Sequence, residues 1–314
     1  MTPKDSFLKT LKFEAPEFVP HSNVIFELTE EAFGLSYPTE EELAAAKGKE
    51  LEALIYRLVE IYNLIVDKYN WAAILVWRPW SGSLVGKVIK ELKRTVGQKS
   101  LVGGFIANAT WSLDSVTDYK QFAADLYDRP EFLKEKTRIN TQRVINEGRA
   151  LAEAGAEIIY LPNDWAHNGG LFFSRNHFEE FVIPALLEII KEFKKLGTIQ
   201  VLHSDGNIMS ILDFIASSGA DVLQSIDPLA NMDITRVKRL TYGKIALWGN
   251  FNTVLLQDGT EDQIRSSARY CLENASAGGG YIFSASNTIF KGAKLNLYHE
   301  MLDVYHQFNR NNSN

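Results

Sequence analysis

The chain has 314 residues, 46% hydrophobic and 23% charged, which is enough to bury one large core. Its net charge of -6 excludes a phosphate-tracking surface, because nucleic-acid binding is driven by clustered Lys and Arg that release counterions. A single cysteine, Cys271, excludes an internal disulfide and any zinc site built on several thiolates of this chain, and its place on an expected helix marks it as packing.

Residues 1–11 lack the apolar stretch of a secretory signal, and nowhere does the chain approach the roughly 20 apolar residues of a membrane span. The expectation is a cytoplasmic protein with no membrane contact. Short apolar runs recur at 24–28, 72–77, 101–107, 157–161, 199–203, 221–226, 245–249 and 280–284. They are rich in Ile, Val, Leu and Phe rather than alternating with polar residues, as parallel strands covered on both faces require. The longer segments 41–69, 84–95, 119–126, 130–154, 175–196, 208–217, 234–240, 261–274 and 295–307 carry helical periodicity. Gly155 and Gly197 stand where helices stop, and Thr260 before Glu261 and Asp262 reads as a cap with first-turn carboxylates. The charges of Lys191, Glu192, Lys194 and Lys195 form the solvated face of a helix. Eight strand–helix units predict an α/β fold, a closed (β/α)8 TIM barrel, with residues 1–314 as one domain and no repeat or linker.

In such barrels the working residues sit at the carboxyl ends of the strands, because the interior is packed solid. One step past each expected strand lie Glu27; Arg78; Asn108 with Thr110; Asn163 with Asp164; His203 with Asp205 and Asn207; Asp227; Asn250 with Asn252; and Ser286 with Asn287. Asp and Asn dominate this set. His203 and Asp205 are two apart and share a strand face, and Gly206 permits a turn or a close backbone approach. The plain alternative is that His203 orders the rim and Asp205 caps the next helix. Asp164 beside Trp165 suits a planar ligand, whereas Asp227 before Pro228 also starts turns. Gly278, Gly279 and Gly280 precede a strand, so they predict a helix-to-strand connection and not a phosphate loop. Trp77, Arg78 and Trp80 either line a cavity or pack on the rim. A hard divalent cation on His203 and Asp205, with Glu27, is a further open reading.

Laid out in this order, the chain resembles the uroporphyrinogen decarboxylase superfamily, which includes corrinoid-dependent methyltransferases. The motifs that carry the resemblance are GFIANATW at 104–111, EAGAE at 153–157 leading to Asn163 and Asp164, and HSDGN at 203–207. LWGNFN at 247–252, the Thr260 helix start and GGGYIFSASN at 278–287 complete them. Uroporphyrinogen decarboxylases carry an arginine-rich motif near the amino terminus that holds a polyanion, whereas here the first arginine is Arg57, on a helix. Thiol-alkylating methyltransferases of the superfamily bind zinc through a His-x-Cys pair and a later Cys. Asp205 and Asn287 stand at those places, so no zinc is expected.

The resemblance then implies methyl transfer between a corrinoid (cobalamin) protein and tetrahydrofolate, a reaction of one-carbon metabolism. The alternative is uroporphyrinogen decarboxylation in haem biosynthesis, or decarboxylation of a smaller acid. Asp205, His203, Asn207 and Asn287 are the expected catalytic residues; Asn163, Asp164, Asp227, Asn250, Asn252, Glu27 and Asn108 are expected to bind substrate. A pterin's 2-amino group and N3–H pair with one carboxylate, from Asp164, Asp205 or Asp227, and its carbonyl takes an amide donor. Transfer at N5 also needs a proton or hydrogen bond there, with Asn207, Asn250 or Asn287 to position it. The chain has no AspxHisxxGly motif of its own, so the corrinoid is expected on a partner protein that docks transiently over the mouth.

Overall fold

Seven of the eight expected runs form strands in a computed structural model that describes residues 1–79 and 82–312. In chain order the strands are β1 (Ala73–Val76), β2 (Leu101–Phe105), β3 (Ile158–Pro162), a hairpin of β4 (Ala166–His167) and β5 (Gly170–Leu171), β6 (Ile199–Ser204), β7 (Val222–Ser225), β8 (Ala246–Phe251) and β9 (Tyr281–Ala285). All but the hairpin pair in parallel, in the order β1-β2-β3-β6-β7-β8-β9. The apolar runs are therefore buried on both faces, as their composition requires.

The run at 24–28 does not form the first barrel strand. Its neighbourhood touches both edges of the sheet: Phe283 of β9 donates its N–H to the Pro20 carbonyl at 2.9 Å, and Ala72, beside β1, donates to the His21 carbonyl at 2.8 Å. One segment meeting both edges means that the sheet is curled. No ladder forms there, only isolated bridges from His21 to Phe283 and from Phe26 to Ile289. Pro20 has no N–H to give, and short polar side chains add to the few backbone bonds. Ser22 Oγ donates to the Ala73 carbonyl, and Asn23 Oδ1 accepts from the Ala285 N–H at 3.0 Å. The closed eight-stranded barrel is thus corrected to a curled seven-stranded parallel sheet with a side-chain-laced seam, a TIM-like arrangement.

Two expected helices are broken. The 41–69 segment forms Glu40–Ala45 and Lys49–Tyr69, separated at Gly48 with φ +54°. The 175–196 segment forms Arg175–Phe181 and Ile183–Lys195, because Pro184 suits a first helical turn but not a helix interior. An unexpected helix, Pro3–Leu11, opens with a Thr2–Asp5 capping box. Gly155 and Gly197 end helices at positive φ, and Thr260 completes a capping box with Gln263. Among the described residues no helix is long and apolar enough to cross a membrane.

Side chains alternate across the sheet. Leu75, Ile158, Tyr160, Val201, Val222 and Trp248 belong to an inner cluster, where Phe7 meets Trp248 edge-on at 5.6 Å. The intervening residues, such as Ile159, Leu202 and Leu223, pack in a separate cluster with the helices. By this period of two, His203 follows Val201 and Gln224 follows Val222 onto the inner face.

Helix Pro130–Glu153 approaches helix Ile183–Lys195 at Gly148, where an added Cβ would lie 2.1 Å from Cε1 of Phe193. Phe193 is fully buried, so its ring has no room to swing. Gly148→Ala gains about 1 kcal/mol of helix propensity and loses about 1–3 kcal/mol to overpacking. Denaturant unfolding is expected to show a net loss of stability, and an equal or more stable variant would contradict the tight approach.

Candidate active site at the strand ends

The densest polar group lies where β3 and β6 end. Asp164 Oδ1 accepts the Asp205 N–H at 2.8 Å and stands 3.5 Å from His203 Nε2, and Asp205 Oδ1 is 3.8 Å from the same nitrogen. Asp205 is held on both oxygens: Ser225 Oγ donates to Oδ1 at 2.6 Å, and Asn287 Nδ2 donates to Oδ2 at 2.5 Å. Local backbone explains the placement. Gly206 has φ +79°, and a Cβ there would lie 2.4 Å from the Ala166 carbonyl oxygen, so only glycine lets the β4–β5 hairpin press on this turn. Where β7 ends, Ser225 (φ +87°) and Ile226 (φ +52°) both adopt left-handed backbone, which costs on the order of 1–3 kcal/mol each. Ser225 from this kink is the residue that reaches Asp205.

Beside Asp205 opens a cleft of about 300 Å³, lined among others by Asp227, Leu229, Asn252, Val254 and Asn287. Its lining holds two carboxylates and neither Lys nor Arg. Leu229 and Val254 are 52% and 54% exposed, leaving apolar surface beside an acidic floor.

The other expected residues lie as follows. Asn163 is fully buried: its Oδ1 accepts from the Thr110 N–H and hydroxyl, and its Nδ2 donates to the Leu161 carbonyl. Asn250 is also buried, donating to the Ile226 and Met232 carbonyls and accepting from the Cys271 thiol, so its amide holds the 226–232 loop instead of facing the cleft. Asn207 and Asn252 accept from the N–H groups of Met209 and Val254 in local turns, and Asp227 accepts from Leu229. Glu27 accepts the Lys291 N–H at 3.0 Å and stands outside the acid–imidazole cluster. Asn108 is exposed and borders two other clefts, together with Asn140 and Arg143. Arg78 is paired with Glu40 at 3.1 Å and lies over the Trp77 ring, whereas Trp80 falls outside the described residues.

Sequence reasoning missed Gln224, Tyr160 and Ser225. Gln224 Oε1 stands 2.5 Å from His203 Nδ1 and accepts from the Tyr160 hydroxyl at 2.6 Å. The available signal was a glutamine inside an otherwise apolar strand, since buried polar groups are there to be bonded.

Burial raises the Asp164 carboxyl above its ordinary range, opposed by His203 when its ring is protonated and by the Asp205 N–H. Burial likewise raises Asp227, and it lifts the Tyr160 phenol well above its usual value with help from the Asp205 and Asp164 charges. Asp164, His203 and Asp205 offer ligand atoms within 4.8 Å of one another, an oxygen–nitrogen–oxygen set suited in composition to a hard or borderline divalent cation. A zinc–thiolate centre does not fit, because the Cys271 thiol is buried against Asn250 and pushed up to about 12 by that burial.

A curled parallel α/β sheet with carboxylates and an imidazole at its strand ends has the build of a TIM-like enzyme. The chain belongs to the uroporphyrinogen decarboxylase (URO-D) family, whose model matches residues 72–308. It is 28% identical over 201 residues to the uroporphyrinogen decarboxylase of Ralstonia pickettii, covering 62% of this chain and 52% of that protein. To the uroporphyrinogen decarboxylase of Aromatoleum aromaticum it is 25% identical, covering 71% of this chain and 63% of that protein. The chain thus spans between half and two thirds of the length of these curated relatives. Among solved structures, a methyltransferase from Methanosarcina mazei superposes with a TM-score of 0.77 at 17% identity, over 98% of this chain and 99% of the other, so the two share a fold.

Because the Asp164 pKa is raised on folding, the unfolded chain releases this proton first as pH climbs through 3.8. The folded state then holds the extra proton, and stability falls between 3.8 and the raised folded value. Asp164→Asn keeps an acceptor for the Asp205 N–H and removes this penalty. Unfolding midpoints are expected to show the variant gaining on the wild type as pH rises through that window; a pH-independent difference would contradict the burial.

Proposed function

We propose that this protein moves a methyl group between a corrinoid protein and tetrahydrofolate, with the pterin ring held at the mouth. The carrying observation is the cleft beside Asp205: acidic floor, apolar lips, and no cationic side chain in its lining. A flat heterocycle with adjacent N–H donors suits it, because a carboxylate takes a 2-amino and ring N–H pair while Leu229 and Val254 cover the ring faces. A tetrapyrrole carrying many carboxylates suits it poorly, since Asp205 and Asp227 would repel it and Arg78 is already paired with Glu40. A volume near 300 Å³ is also at the small end for ligand sites.

The corrinoid, carried by a docking partner, would supply the methyl carrier. This chain's residues bind and orient the ring and manage one proton. When the N5–methyl bond breaks, the leaving amine must gain a proton, because an amine anion is a poor leaving group. Asp164 suits that role, since burial raises its pKa and lets it keep a proton closer to neutrality than an exposed carboxyl does. Asn287 fixes the Asp205 carboxylate, and His203 lies against both acids.

The second reading, decarboxylation of uroporphyrinogen, draws on the names of the curated relatives. Titration with tetrahydrofolate separates the two. Saturable binding is expected, weakened at least tenfold by Asp205→Ala, together with methyl exchange with a methylated corrinoid protein. Absence of binding at millimolar tetrahydrofolate, or coproporphyrinogen formed from uroporphyrinogen, would overturn the proposal.

A further inference from the structure

We infer that Gln224 is a positioning residue that locks His203 in the Nδ1–H tautomer, so that Nε2, beside two carboxylates, is left with a bare lone pair. The two residues are register partners on adjacent strands, β6 and β7, and point to the same inner face. His203 Nδ1 lies 2.5 Å from the Gln224 side chain. The question is which amide atom stands there, since oxygen and nitrogen of a glutamine are distinguished by their partners.

Two partners settle it. The other amide atom of Gln224 lies 3.0 Å from the Ser286 carbonyl oxygen, which can only accept, so that atom is the NH2 group. The atom toward His203 is then the carbonyl oxygen, and it also receives the Tyr160 hydroxyl at 2.6 Å. Tyr160 is fully buried next to two carboxylates and remains a neutral phenol, a donor. An oxygen that accepts from Tyr160 can only accept from His203 as well. Nδ1 therefore carries the hydrogen, and in the neutral ring Nε2 carries none.

The consequence is a specificity element. Nε2 and, 3.5 and 3.8 Å from it, Asp164 Oδ1 and Asp205 Oδ1 make three acceptor atoms with no donor among them. Whatever binds at that corner must bring an N–H, an O–H or positive charge. A ligand presenting only carbonyl or carboxylate oxygens there is rejected by unpaired lone pairs. This rests on the folate reading and deepens it by assigning N5, an N–H in tetrahydrofolate itself, to this corner beside Asp164, yet the tautomer itself does not depend on that reading.

Long-range nitrogen–proton NMR of the imidazoles tests it in ligand-free protein, at about pH 8, above the ordinary histidine range. His203→Gln identifies the His203 signals among the six histidines. The wild type is expected to show a pyrrole-like Nδ1 and a pyridine-like Nε2, and the reverse pattern would overturn the inference. Gln224→Leu should give averaged nitrogen shifts, while Gln224→Glu, which keeps an acceptor, should restore the single tautomer. An unchanged spectrum in Gln224→Leu, or a Glu variant that behaves like Leu, would remove Gln224 from the role. Should Gln224→Leu fail to fold, the wild-type spectrum still decides the tautomer, and Tyr160→Phe, which leaves Oε1 to His203 alone, is expected to preserve it; a reversed or averaged pattern there would count against it. Failed folate binding with the Nδ1–H tautomer intact sinks only the functional proposal, and the opposite result sinks only this one.

Discussion

Two carboxylates and an imidazole share one corner of this molecule, and their coexistence constrains most of what surrounds them. Asp164 and Asp205 both lie within 3.8 Å of His203 Nε2, so their charges repel unless each is answered by neighbouring dipoles. The answers are neutral donors: the Asp205 N–H on Asp164, and the Ser225 hydroxyl and Asn287 amide on Asp205. Each donor demands its own backbone arrangement. The first needs the Gly206 turn pressed under the hairpin, the second the left-handed pair Ser225 and Ile226, and the third the end of β9 brought around to β6. The curl of the sheet and the chemistry of its mouth are thus parts of one solution to an electrostatic problem.

Seven strands were legible because a parallel strand buried on both faces has a run of apolar residues as its only option. The HSDGN turn was legible too, since a glycine after alternating polar residues at a strand end has few other uses. The 24–28 run misled for a physical reason. Most of its apolar residues are buried as a strand's would be, but its backbone meets Phe283 and Ile289 only at isolated bridges while Ser22 and Asn23 bond through side chains, and composition does not report who bonds to whom.

The candidate site was legible only in part. Asp164, His203, Asp205 and Asn287 converge, and Asp227 with Asn252 lines the adjoining cleft. Asn163 and Asn250 sit at equivalent strand ends but turn their amides to buried backbone, because a loop leaving a strand strands carbonyls and N–H groups that need partners. A strand-end asparagine is equally good at either task. Gln224 showed only as a polar residue in an apolar run: its link to His203 comes from sitting in register with it, and register is a relation between strands that no single segment encodes.

The laced seam has a mechanical meaning. A ladder ties a strand along its length, whereas isolated backbone bridges and the Ser22 and Asn23 side chains join β9 to β1, so this joint is held at separate points. Counting from that joint in either direction, β6 is the fourth of seven strands, as far from the joint as any position allows. The imidazole therefore sits on the strand farthest from the joint, with hydrogen-bonded ladders on both sides of it.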